Sequence, residues 1–264
     1  MSNSLQYDSA VEQQIEDDQT VTVDARHLPY RALDARLKEL VGQGARTIRL
    51  CGVMGQRYVG TNLRAQVRLI IEGVPGNDLG GFMDGPTIEV LGPAQDGCGN
   101  TMNSGTIIVH GSAGDILGHS MRGGQVFVRD NVGYRVGIHM KEYESVRPVI
   151  VIGGTAQHFL GEYMAGGILV ILGSQLEAEE YHPSRYVGTG MHGGVIYMRG
   201  KVDTTFLGME VGIAPLEARD QQLLEQYVGE YARHFDVDGE ELLQRPFTKL
   251  VPLTKRPYGR LYAY

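Results

Sequence analysis

The spacing of apolar residues divides this chain into stretches of different rhythm. VTVDA at 21–25 alternates apolar and polar positions, the pattern of a half-buried strand. From Leu28 to Val41 the rhythm turns helical, with Leu33, Leu37, Leu40 and Val41 at helical spacing and Gly42 and Gly44 as a stop. TIRL at 47–50 returns to a strand. Short β-branched runs then follow one another: GPTIEVLG at 85–92, GTIIVHG at 105–111, GGQVFVRD at 123–130, GGILVILG at 166–173 and GGVIYMRG at 193–200. Past Gly200 the rhythm changes again. Pro215 opens a helical stretch to about Phe235, with Leu223, Leu224, Tyr227, Val228, Tyr231 and Phe235 on one face. Asp238 to Glu241 has capping-box spacing before a short helix through Leu243. RPFTKLVPLTKRPYGRLYAY, from residue 245, has little period and predicts an extended segment lying along a surface, its own or a partner's.

Between the β-branched runs one motif recurs, G-x-x-M. It stands at Gly80–Met83, Gly99–Met102, Gly118–Met121, Gly137–Met140, Gly161–Met164 and Gly188–Met191, with an earlier copy at Gly60–Leu63. The starting glycines are 20, 19, 19, 19, 24 and 27 residues apart. A period of ~19 residues, with one strand and glycine corners per unit, describes one coil of a β-solenoid. The expected fold is therefore all-β dominated: a right-handed parallel β-helix of about seven coils over residues 47–200, on the order of 34 Å long at ~4.8 Å per rung. The repeated methionines are expected to stack inward, one per coil, which is favoured over a soft-metal site. An acidic arm over 1–20, a strand–helix cap over 21–46, and helices with a basic, aromatic tail over 201–264 complete the predicted organisation. The two long spacings mark insertions at about Lys141–Arg147 and Gln175–Arg185, expected to form loops on one face.

Composition narrows the function classes. The formal charge of −7 disfavours a nucleic-acid partner. Residues 1–20 carry acids and no base, whereas Leu242–Tyr264 carries bases and no acid, so both ends are expected to meet other surfaces. The two cysteines, Cys51 and Cys98, form no CxxC pair and are expected to be buried free thiols; no metal or cofactor set is read from this chain. No signal-like or membrane-length apolar stretch is found, and a cytoplasmic, soluble protein is expected. GTGMHG at 188–193 matches G-x-G-x-x-G in letters only, because a strand rather than a helix follows it. DVDG at 236–239 lacks the later ligands of a calcium loop. His119, His139 and His192 sit one, two and four residues after their repeat glycines and so are not expected to share a ladder.

With the repeat laid out, GTIIVHG, EYMAGGILVILG and GTGMHGGVIYMRG resemble the GXGXG domain at the C-terminus of the glutamate synthase large subunit. The flanks ARHLPYRALDARLKEL and FTKLVPLTKRPYGRLYAY resemble the separate-chain form found in split, archaeal-type glutamate synthases. The same solenoid forms one of the subunits of formylmethanofuran dehydrogenase and of the related formyltransferase/hydrolase complex. The resemblance implies a non-catalytic scaffold subunit without cofactor of its own, whose partners are a glutamine amidotransferase and a synthase subunit carrying FMN and iron–sulfur clusters. In keeping with this, the second residue is Ser2 and not the amidotransferase cysteine. The C1-complex scaffold is the alternative. A third class, an independent enzyme, would need carboxylates and His gathered by the insertions: Glu142, Glu144, Glu177, Glu179, Glu180 and His182. The expected interface residues are Glu142, Glu144, Glu177, Glu180, His182, Arg256, Tyr258 and Arg260, with homo-oligomerisation through the solenoid faces as a further expectation.

Overall fold

The computed structural model describes residues 20–254. The acidic arm up to Gln19, and Arg256, Tyr258 and Arg260 in the closing segment, lie outside the described residues. The strands are β1 (Thr20–Asp24), β2 (Thr47–Met54), β3 (Arg68–Val74), β4 (Asp84–Val90), β5 (Ser104–Val109), β6 (Gln125–Val128), β7 (Val149–Ile152), β8 (Ala165–Ile171), β9 (Gly193–Arg199), β10 (Val211–Ala214) and β11 (Phe247–Pro252). The helices are α1 (Tyr30–Gly42), α2 (Ala218–Phe235) and α3 (Gly239–Gln244). All strands join one sheet in the order β1 to β9, then β11, then β10, and β1 to β9 are parallel. The molecule is a β-solenoid.

Register explains why the coils hold together. One row of paired positions runs Ile48, Leu69, Ile88, Ile107, Val126, Ile150, Leu169, Ile196. A second, two residues on, runs Leu50, Ile71, Val90, Val109, Val128, Ile152, Ile171, Met198. Side chains two apart share a face, and every member of both rows is fully buried. A one-residue slip would turn both rows outward, so the pattern fixes the register.

The intervening row points outward and changes character along the column. Arg49 and Glu89 lie in its early coils; Phe127, Val151, Val170 and Tyr197 follow in the later ones. The early coils carry rung-to-rung charge pairs, Arg49 to Glu72 at 2.5 Å and Arg68 to Glu89 at 2.7 Å. The later, apolar part is covered by α2, whose Leu224, Val228 and Tyr231 pack on Phe127, Val151, Val170 and Tyr197 as a second core. Strand β7, VIVI, is consequently buried on both faces.

Both ends are closed. At the start, β1 pairs with β2, and Leu33, Leu37 and Leu40 of α1 join the inner core. At the far end the parallel ladder stops because β11 pairs antiparallel with β9 and with β10. The segment expected only to lie extended along a surface thus becomes a central strand, with Leu250 fully buried. Helix α2 begins three residues after Pro215, with Glu217 and Asp220 forming a reciprocal capping box, and ends at Asp236 in the left-handed region.

Candidate functional site

The corner that repeats in every coil is the most constrained part of the backbone. In the coil around Gly161, Phe159, Gly161 and Tyr163 all have positive φ, at 64°, 67° and 52°. The same three offsets recur around the other repeat glycines, as at Tyr58, Gly60 and Asn62, or Arg135, Gly137 and His139. At the central position a Cβ would point into the core: at Gly161 it would lie 2.7 Å from Ile196 Cδ1, and at Gly80 2.8 Å from Ile107 Cδ1. That is why the central residue is always glycine. Its N–H donates to the preceding coil, from Gly99 to the Leu79 carbonyl and from Gly118 to the Cys98 carbonyl, at 2.9 and 2.8 Å.

Three residues after the glycine, Met83, Met102, Met121, Met140, Met164 and Met191 are fully buried, and Leu63 takes the same place. One residue before it stands another inner column: Val59, Leu79, Cys98, Leu117, Val136, Leu160 and Val187. Cys98 is therefore a core residue in a Val/Leu position, and burial pushes its thiol up to about 12. Cys51, expected buried, is only half-buried on β2; partial burial and the Glu72 carboxylate raise its thiol.

Two residues before and after the glycine, side chains point out of the column, so a residue with a Cβ is tolerated in the left-handed region at ~1–2 kcal/mol each. Large groups stand there. Tyr58, Phe82, Tyr163 and Tyr186 are exposed. Phe159 stacks on Tyr186 with centroids 5.0 Å apart, and the Arg135 guanidinium lies 4.7 Å from the Phe159 ring centre. His139 stacks on Tyr163 at 5.4 Å and meets His119 edge-on at 6.0 Å. The expectation that His119 and His139 share no ladder is corrected: rungs are close enough that a one-residue offset does not separate the rings. Asn100 links His119 to Asp78, accepting at 3.2 Å and donating at 2.9 Å. Burial, then the His139 charge, lower the His119 pKa. The result is an exposed aromatic strip along one corner. Sequence reading passed over it, although its signal, an aromatic two residues before or after several of the repeat glycines, was present.

The insertions do not converge on one face. Lys141–Arg147 lies at the start of β8, where the Glu142 carboxylate accepts from Arg147 at 2.9 Å and from the Gly167 N–H at 3.0 Å. Glu142 thus clasps its own loop, while Glu144 is exposed. Gln175–Arg185 lies at the opposite end of the strands, beside Gly173 and Arg199. Glu177 and Glu180 are exposed, joined by a 3.2 Å bond from the Glu177 N–H to the Glu180 carboxylate, and Glu179 pairs with Lys201. His182 is turned inward, 5% exposed, with Nε2 2.8 Å from the Arg199 carbonyl. Its burial corrects its place among the interface residues, since it presents no surface to a partner. Among the described residues no group of three or more His, Cys, Asp or Glu is placed to hold a metal ion.

Burial lowers the His182 pKa, the Arg199 carbonyl pulls it up, and the Arg199 charge lowers it further; the net direction is down. The folded chain therefore binds fewer protons here than the unfolded one. His182 contributes stability above the ordinary imidazole range, and this is lost as pH falls from that range toward the lowered folded value. Between about pH 7.5 and about pH 5.5, the wild-type melting temperature should fall more than that of His182→Gln. Parallel curves would mean that His182 does not titrate on unfolding.

A parallel solenoid that turns each coil on a glycine with methionine or leucine behind it, and displays aromatics outside, defines the class of protein. The chain belongs to the GXGXG motif family, which matches residues 34–253. It is 46% identical over 250 residues to an uncharacterized protein of Methanocaldococcus jannaschii, covering 92% of this chain and 96% of that protein. Its fold is also similar to a chain of the formyltransferase/hydrolase complex of Methylorubrum extorquens, solved with methylofuran. That likeness has a TM-score of 0.59 at 20% identity and covers 86% of this chain and 93% of that one. No helix among the described residues is long and apolar enough to cross a membrane.

Proposed function

We propose that this chain is the non-catalytic scaffold subunit of a multi-chain cytoplasmic complex, a stiff column that fixes the separation and orientation of its catalytic partners. The observation that carries this reading is the continuous parallel register from β1 to β9. Each inner coil is bonded to both neighbours, so the column resists bending, and its exposed corner offers aromatic side chains in several coils. A reaction divided between active sites needs such fixed geometry, because a reactive intermediate must pass between them without loss.

For the partners, the first reading is a glutamate synthase-type oxidoreductase that moves the amide nitrogen of glutamine to 2-oxoglutarate. Its partners would be an amidotransferase subunit and a subunit carrying FMN and iron–sulfur clusters. Its support is membership of the GXGXG family together with the two flanking sequences. The second reading is the structural subunit of a formyl-transferring complex, favoured by the likeness in fold to the formyltransferase/hydrolase chain. Purifying the tagged full chain from its native cells at low salt, with identification of the co-purifying chains and a visible spectrum, separates them. An amidotransferase with a flavin- and iron–sulfur-coloured chain supports the first; formyltransferase or hydrolase chains select the second. A colourless protein without partners overturns both.

The aromatic corner is the part of this chain proposed to meet the partners. Tyr163→Gly should change stability by less than ~1 kcal/mol, because relief of left-handed strain offsets the lost stacking on His139. The yield of co-purified partner should fall. An undiminished yield would remove the corner from the interface.

A further inference from the structure

We propose that the cleft between the far end of the column and the helical pair α2–α3 binds an oxyanion, the carboxylate or phosphate group of a small molecule, through Arg199 and Arg245. The cleft has a volume of about 460 Å³ and is lined by Ser174, Arg199, Tyr231, Glu241, Gln244 and Arg245 among others. That is the size of a small-molecule site.

Arg199 is the last residue of β9 and follows Tyr197 on the outward face. The neighbouring part of that face, from Phe127 to Tyr197, is covered by apolar side chains of α2, and Arg199 stands at its border. It is 6% exposed. Its Nε donates to the Leu172 carbonyl at 2.6 Å, and its two terminal nitrogens have no acceptor among the described residues. No carboxylate among them lies within ion-pair distance of Arg199. Those terminal nitrogens open to the cleft, where a counter-ion would offset the burial of the rest of the side chain.

Arg245 enters the same cleft, pinned by a 2.7 Å bond from Nη1 to the Leu176 carbonyl. Each guanidinium is thus oriented by one backbone carbonyl and keeps further N–H groups for a ligand. Planar forks of this kind match carboxylate and phosphate. Burial first, then the charge of Arg245, lower the Arg199 pKa, while the charge of Glu241 raises it. Three other lining groups are already engaged: Ser174 Oγ donates to the Gly153 carbonyl, Tyr231 Oη donates to the Arg129 carbonyl, and the Asp238 carboxylate caps α3. Glu241 is exposed at the rim, its carboxylate without a partner among the described residues, where it would repel an arriving anion.

Calorimetric titration of the full chain at low salt with inorganic phosphate, and separately with succinate, tests this and tells phosphate from carboxylate. Saturable binding of one probe at one site is expected. Arg245→Gln, at a half-buried position, should weaken it about tenfold or more, and Glu241→Gln should strengthen it severalfold. A merely structural arginine pair would give no such opposed effects. Binding of neither probe, or binding that neither variant alters, overturns the proposal. So does a Glu241→Gln protein that binds no tighter and melts earlier, because Glu241 would then be the counter-ion itself. Should Arg245→Gln fail to fold, the Glu241→Gln comparison decides alone. The proposal is independent of the scaffold reading, since the cleft belongs to this chain.

Discussion

Met121→Asp should strongly destabilise the column. Met121 is fully buried at the corner of its coil, beneath Gly118. A carboxylate there has no partner and would have to be buried either charged or, at a cost, protonated. Losing the methionine packing as well takes the expected destabilisation to at least ~4 kcal/mol, a large share of the ~5–15 kcal/mol that holds a domain together. Met121→Leu, which keeps volume and polarity, should cost less than ~1.5 kcal/mol. Denaturant titration followed by circular dichroism separates the two. A soluble Met121→Asp protein with an unchanged transition would sink the inward assignment of the methionine column.

Asp220→Ala should loosen the helical cover by ~3–5 kcal/mol, the usual result of leaving one partner of a buried ion pair alone. The Asp220 carboxylate is almost fully buried between α2, β9 and β11. It accepts from Lys249 at 2.6 Å, from the Tyr197 hydroxyl at 2.5 Å and from the Glu217 N–H at 2.7 Å. Burial by itself would raise the Asp220 pKa, but these bonds together outweigh it and hold the group below the usual carboxylate range. Its stabilising effect is thus present above that range and lost as pH falls through the depressed folded value. Burial also raises the Tyr197 hydroxyl, with the Asp220 carboxylate adding to it, so Tyr197 stays a donor. Removing Lys249 as well, in Asp220→Ala/Lys249→Met, should recover part of the loss, because no uncompensated charge is left. Near-ultraviolet dichroism and melting of the single and double variants measure this. A single variant within ~1 kcal/mol of wild type would show that α2 is held by its apolar face alone.

Much of this arrangement was legible in the chain alone. Glycine at the corner, methionine three residues later and β-branched strands between pointed to the solenoid, because each has one physical solution and the solution repeats. The amphipathic face of α2 was legible too, through Leu224, Val228 and Tyr231. Its docking place was half-legible. VIVI at β7 lacks alternation, a sign of burial on both faces, yet nothing local ties it to a helix that begins only at Ala218. The aromatic strip was written in residues such as Phe82, Tyr163 and Tyr186, but glycine-centred reading treats the neighbouring positions as filler.

Other features were beyond sequence reading. His182 looks like any loop histidine until the Arg199 carbonyl is found beneath it. Glu142 looks like a free acid until the Gly167 N–H meets it. The insertions fall at opposite ends of the strands because one comes just before β7 and the other just after β8, a distinction that the glycine-to-glycine spacing does not carry.

Coil length, the two inward rows and the residues at each corner are set locally, by the chain alone. These follow from local sterics and from a two-residue alternation repeated in every coil. Which outer surface α2 covers, where β11 inserts and which polar groups become buried are set only once the chain is folded. Those outcomes rest on contacts between distant segments, such as Lys249 with Asp220, 29 residues apart, and the Tyr231 hydroxyl with the Arg129 carbonyl, 102 residues apart. Each depends on the shape that the assembled column presents, and no short stretch of chain encodes that shape.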